Sequence, residues 1–239
     1  MLTSVPPPQP DPPSRWPGGA ERDGHYRLSA QRKSLERLVD CALNQSRSFK
    51  GEDLLLLPTL LGSLNGTQSG SFVELGAYDG VTHSNSYMLE RCFGWRGVLI
   101  EASPSNFQRL EKAGRTKSKL VHSAVCKEES IDGLEFADAG RSNSDAVAQT
   151  SGSLQTISRA KRAIARELNR TVRVPCKPLK AILAEHGLTK VDFLSLDVST
   201  WRLEPSTSRL VRQSCVHAPP IVWTGRGSGG HGAVDDQPD

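Results

Sequence analysis

The chain has 239 residues, of which 36% are hydrophobic and 5% aromatic, and its formal net charge is +4. That length suits one domain of ordinary size plus tails, and the apolar runs between residues 52 and 198 are enough to bury a core. The mild basicity comes without interleaved aromatics, which excludes a recognisable nucleic-acid module, and Cys41, Cys92, Cys126, Cys176 and Cys215 never approach zinc-ligand spacing, so no metal site is expected.

Residues 1–25 are rich in Pro, Gly and charge and are expected to be disordered. They contain no apolar signal-peptide core, and the longest apolar run, 54–61, is broken by Pro58 and too short to span a bilayer. A cytoplasmic protein is therefore expected, and the odd number of cysteines argues against a full disulfide framework, leaving reduced, buried or incidental thiols as the expectation. The sequons at Asn44, Asn65 and Asn169 read as chance occurrences.

A helical lead-in follows over residues 26–68. Leu28, Leu35, Leu38, Val39 and Leu43 form one apolar stripe, and Leu54, Leu55, Leu57, Leu60 and Leu61 form a second. A Rossmann-like core over 69–198 comes next, read as strands at 71–75, 97–101 and 119–124 alternating with helices at 84–92 and 104–113. Ser103 is the N-cap of the second helix, Pro104 its first position and Gly114 its stop. That alternation predicts an α/β fold with a mostly parallel sheet, right-handed crossovers and flanking helices.

Residues 131–137 read as an additional strand, and the polar stretch 140–153 as a loop that could cover the site. Arg159, Lys161, Arg162 and Arg166 fall on a helix over 156–168. They read as a solvated face, with a polyanion patch as the lesser reading. A short strand at 172–175, a helix at 179–186 ended by Gly187, and a strand at 191–198 complete the pattern.

The run Ser71-Phe72-Val73-Glu74-Leu75-Gly76-Ala77-Tyr78-Asp79-Gly80 has the form strand, acid, glycine-bounded turn. Gly76, Ala77 and Gly80 are expected to let backbone approach a ligand closely. The spacing is not that of a dinucleotide fingerprint, and a carboxylate at Glu74 would repel a pyrophosphate. It suits an amino-bearing ligand such as the amino acid end of S-adenosylmethionine. Glu101, about 20 residues past the turn, stands where such folds place the acid that accepts from ribose hydroxyls; the bland alternative is a surface acid. Asp79 either helps hold the methionine moiety or stabilises the turn. His83 reads as a base at the mouth of the site or, more simply, as a capping or surface residue.

Three blocks carry a family resemblance: Phe72-Val73-Glu74-Leu75-Gly76-Ala77-Tyr78-Asp79-Gly80-Val81-Thr82-His83-Ser84-Asn85, Gly94-Trp95-Arg96-Gly97-Val98-Leu99-Ile100-Glu101-Ala102, and Val191-Asp192-Phe193-Leu194-Ser195-Leu196-Asp197-Val198. Over roughly residues 50–198 the chain resembles the FkbM-type S-adenosylmethionine-dependent methyltransferases. The resemblance implies a class I methyltransferase fold, S-adenosylmethionine as cofactor, and O-methylation of a sugar or other small hydroxylated acceptor, either a free molecule or a glycan. Glu74 would bind the donor's amino group, Glu101 with Ala102 beside it the ribose, and Ser123 and Ala124 would flank the adenine. Asp197 would be the catalytic residue facing the methyl group and acceptor, as general base or orienter.

The chain departs from the family after Val198, where Ser199-Thr200-Trp201 stands in place of the family's Glu-Gly. Residues 199–239 are expected to be irregular, leaving the sheet incomplete and the 191–198 strand at its edge. The alternative reading is a truncated, catalytically inactive methyltransferase-like protein that retains at most donor binding.

Overall fold

The computed structural model describes residues 20–63, 70–138, 151–197 and 221–224. The Pro-rich stretch before Ala20, most of the expected loop at 140–153, Asn65 and Cys215 lie outside the described residues. Met1–Asp40 and Cys41–Asp239 form two compact units.

Helix α1 (Ala20–Gln45) begins inside the stretch expected to lack structure. The second leucine stripe splits into a 3-10 turn, Glu52–Leu56, and α2, Leu57–Ser63. Asp53 fixes the approach to that turn: it is buried and accepts from the Ser46 and Ser48 hydroxyls, each at 2.6 Å.

The α/β pattern then follows in the expected order: β1 (Ser71–Leu75), α3 (Tyr87–Phe93), β2 (Arg96–Glu101), α4 (Pro104–Leu110) and β3 (Ser118–His122). A two-residue β4 (Ala124–Val125) leads to β5 (Ser130–Ala137), β6 (Gly152–Ser153), α5 (Arg159–Glu167), β7 (Thr171–Lys177), α6 (Leu179–Glu185) and β8 (Phe193–Leu196); β9 is Ile221–Thr224. The main sheet runs β3-β2-β1-β8-β9, and every pairing in it is parallel.

Alternation along these strands separates two cores. Val73, Leu75, Val98, Ile100, Leu194 and Leu196 pack on Leu179, Ile182, Leu183 and Val191. On the opposite face Phe72, Leu99 and Phe193 pack on Met88, Leu89, Leu110, Ala42, Leu56 and Leu60. Glu74, Glu101 and Ser195 share the second face by the same alternation, at the carboxyl ends of their strands, where open α/β sheets bind ligands.

Three expectations change. The 191–198 strand is not an edge, because Ile221–Thr224 pairs alongside it from Phe193↔Ile221 to Leu196↔Thr224. The three-residue apolar knot Ile221-Val222-Trp223 in a polar stretch gives no periodic signal in sequence, yet with Thr224 it is long enough to match the four residues of β8. The strand expected over 119–124 divides at Ser123: β3 stays in the main sheet, whereas β4 joins a second sheet of order β4-β7-β5-β6.

The cysteines are not all reduced. Cys41 bonds Cys92 and Cys126 bonds Cys176, both with Cα atoms 5.8 Å apart. Partners 51 and 50 residues apart are invisible to spacing rules. The fold joins the end of α1 to α3 and sets Cys126, just after β4, beside β7. Such bridges persist in oxidising compartments. Among the described residues, no helix is long and apolar enough to cross a membrane.

Candidate active site

After Leu75 the backbone enters a turn at Gly76 with φ +79°. The Gly76 and Ala77 N–H groups both donate to the Ile100 carbonyl, at 2.9 and 3.1 Å, which ties the turn to β2. The Gly80 N–H donates to the Ala77 carbonyl at 2.7 Å. Asp79 Oδ1 accepts from the Val81 and Thr82 N–H groups at 2.9 and 2.7 Å, and Oδ2 accepts from the Thr82 hydroxyl at 2.8 Å. Both of its oxygens thus hold the turn, the second of the two roles open to it in sequence.

Gly80 is buried with φ +76°, and a Cβ there would stand 2.4 Å from Leu110 Cδ1. Its lack of a side chain lets the turn pack on α4. The turn therefore offers no nest of free N–H groups of the kind that cradles a pyrophosphate.

Glu101, at the end of β2, is buried beside this turn. Its Oε2 accepts from the Tyr78 N–H and its Oε1 from the Ser103 N–H, both at 2.8 Å. Burial pushes its carboxyl up to about 7; the Ser103 and Tyr78 N–H groups and Asn106 oppose the rise, and the charge of Asp138 adds to it. Asp138 gathers the start of α4, accepting from the Ser103 and Ser105 hydroxyls at 2.6 Å each. Ser103 is also the N-cap anticipated for that helix, accepting from the Asn106 N–H at 3.2 Å. Tyr78 flanks Glu101 with φ +53°, and its ring lies 4.8 Å from the Arg109 guanidinium carbon.

Ala102 follows Glu101, and its carbonyl meets His122 Nε2 at 3.2 Å. Ser123 and Ala124 are both buried, at the junction of the two sheets. The Ser123 N–H donates to the Glu101 carbonyl at 3.1 Å, and its hydroxyl bonds the Ala124 carbonyl at 2.7 Å. These residues lie at the carboxyl ends of β2 and β3, next to one another and to Glu101.

Asp197 follows β8 directly, and its N–H donates to the Leu75 carbonyl at 3.1 Å, so it stands beside the start of the turn. Desolvation raises its carboxyl above the usual range, the charge of His83 opposes that shift, and Glu52 adds to it. His83 is exposed with φ +60°, a conformation non-glycine residues seldom adopt, and its ring meets Phe49 edge-on at 4.9 Å. Asp197, His83, Glu52 and Phe49 thus gather at one rim of the turn, with Glu101 at the other.

Glu74 lies deeper than expected. It is 2% exposed, and its oxygens accept from the Asn85 N–H at 2.8 Å, the Ser84 hydroxyl at 2.8 Å and the Ser86 hydroxyl at 2.5 Å. Behind it lies an ion pair that sequence reading missed, Arg115 Nε to Glu90 Oε2 at 2.9 Å, with both side chains buried. The one available signal was Glu90 itself, an acid in register with the apolar face of α3.

The sequence model of the Methyltransferase FkbM domain matches residues 74–199. The chain belongs to the FkbM methyltransferase family. No curated protein and no solved structure matches it. The family's sequence block begins at Glu74, the last polar group before the turn, and runs through Asp197, so it encloses the turn, Glu101, Ser123, Ala124 and Asp197 but not Phe49 and Glu52.

The residues present fit the methyl donor that the family implies. S-adenosylmethionine carries no phosphate, and the Gly76, Ala77, Tyr78 and Gly80 N–H groups already have acceptors within the protein. A nucleoside does need an acceptor for its ribose hydroxyls, and Glu101 offers a carboxylate with one N–H on each oxygen and lone pairs to spare.

Proposed function

We propose that the protein is an S-adenosylmethionine-dependent O-methyltransferase acting on a sugar or another small hydroxylated acceptor, free or part of a glycan. The observation that carries this reading is the union of the glycine turn with the β2 carboxylate through the Tyr78 N–H to Glu101 bond, inside the family's sequence block. When bound, the donor supplies an electrophilic methyl group on a sulfonium. Glu101, with Ala102 beside it, would accept from the ribose hydroxyls, Ser123 and Ala124 would line the adenine side, and the Gly76–Tyr78 backbone would pass beneath the methionine part. Asp197, at the end of the neighbouring strand, would orient the acceptor hydroxyl and take its proton as the C–O bond forms. Its raised affinity for protons suits that role. Because the transfer is an in-line displacement, positioning supplies most of the catalysis and no protein nucleophile is required.

The test is a thermal melt with and without excess S-adenosylhomocysteine, followed by methyl transfer from labelled donor to a panel of sugars. Ligand at 100 times its Kd should add about 2.7 kcal/mol to stability, and Glu101→Ala should abolish the shift. A cooperative melt that the ligand leaves unmoved overturns the donor site. A clear shift without transfer to any acceptor would instead support the inactive, donor-binding alternative.

A further inference from the structure

Beneath the glycine turn lies a closed polar network on the α3 face of the sheet. Arg115 is its centre. Nε donates to Glu90 Oε2 at 2.9 Å, Nη1 to the Gly80 carbonyl at 2.6 Å and to Ser84 Oγ at 3.2 Å, and Nη2 to Ser86 Oγ at 2.9 Å. Those two serines hold Glu74, so one guanidinium ties the far end of the turn to the carboxylate at its near end. Glu90 is fixed in turn by the Lys117 N–H at 3.1 Å and the Ser118 hydroxyl. The Arg115 guanidinium also lies over the Phe72 and Tyr87 rings, at 5.7 and 5.5 Å. Asn85 extends the network to the neighbouring strand, its Nδ2 donating to Ser195 Oγ at 3.1 Å.

We infer that Arg115 is the positioning residue of the glycine turn, and that Glu74 serves it as an internal acceptor rather than as a ligand for the donor. Two facts carry this. Glu74 is 2% exposed, and its oxygens accept from three donors, two of them serine hydroxyls that Arg115 itself holds. The turn, in contrast, has a carbonyl at Gly80 that nothing on its own segment satisfies and that Arg115 reaches. The fork geometry is what the task requires: four acceptors on four different residues surround one planar cation, an arrangement that a single ammonium cannot span. Held in this way, the turn presents the Tyr78 N–H to Glu101 in a fixed place. Without Arg115, the 80–86 segment would lose its anchor and the Glu101 side of the site would lose its register.

The inference rests on the donor reading only for its binding arm. The experiment measures hydrogen exchange over residues 76–86 and S-adenosylhomocysteine affinity by calorimetry on the full chain, comparing wild type, Arg115→Lys, Ser86→Ala and, as a packing control on the opposite face, Val191→Ala. Arg115→Lys is expected to melt cooperatively, to exchange its 80–86 amides at least tenfold faster while β7 amides keep their rates, and to bind at least tenfold more weakly. Ser86→Ala, which removes one bond to Arg115 and one to Glu74 and leaves the cation in place, should show the same pattern more weakly and decides the matter if Arg115→Lys does not fold. Val191→Ala should lower Tm without changing affinity. Unchanged exchange in the turn, or weakening by Val191→Ala equal to that by Arg115→Lys, overturns the inference. If wild type binds no S-adenosylhomocysteine, the donor reading fails by itself and the exchange data alone settle the role of Arg115.

Discussion

Glu101→Gln isolates what burial does to the β2 carboxyl. The folded chain raises its pKa from 4.5 to about 7, with desolvation as the leading cause. The sign follows from proton linkage. Between those two values the folded state binds the proton more tightly than the unfolded state does, so stability is fully present below pH 4.5 and falls as pH rises through about 7. At 1.36 kcal/mol per pKa unit, the loss above pH 7 is roughly 3 kcal/mol. Glutamine has no charged form and removes that slope. Its NH2 would face one of the two backbone N–H donors now bound by Glu101, so the variant loses one hydrogen bond, about 1 kcal/mol, at every pH. Urea melts of wild type and variant at half-unit steps from pH 4 to pH 8.5 should therefore give curves that cross: wild type is the more stable near pH 4.5, and the variant overtakes it by pH 8. Parallel curves would refute the reasoning, because they would mean that Glu101 is no harder to ionise folded than unfolded.

Gly80→Ala should cost about 2–5 kcal/mol, the sum of a left-handed backbone and a Cβ pressed into Leu110, and should lower both Tm and donor affinity. Reduction of the Cys41–Cys92 bridge, or Cys41→Ser, opens a loop of 51 residues and should lower stability by about 4 kcal/mol by loop entropy, read as a drop in urea midpoint; thiol titration of unreduced native protein should find these two cysteines silent. Asp197→Asn should cut turnover by about 10²–10⁴ and leave S-adenosylhomocysteine affinity in place, and the acidic limb of the wild-type pH profile should sit above that of an ordinary aspartate. Leu194→Ala, at the centre of one core, should cost about 2–5 kcal/mol by chemical denaturation.

Local chemistry determined a great deal of this protein. The short apolar runs of β1, β2 and β8 specified strands whose two faces both enter a core, and the Ser103-Pro104 pair marked the start of α4. The places of Glu101 at the end of β2 and Asp197 just after β8 were legible, because a one-dimensional pattern fixes where a strand stops. The contacts of Glu74, Asp79 and Gly80 were not legible, because the same residue types can bond or pack against many different neighbours. Those neighbours lie far along the chain: Arg115 reaches Gly80 across 35 residues, and Ser195 meets Asn85 across 110. The two disulfides and the strand at Ile221–Thr224 have the same character. Periodicity and capping act within a few residues and are written in sequence, whereas pairing between distant polar groups, thiols and strand edges exists only once packing has set them side by side.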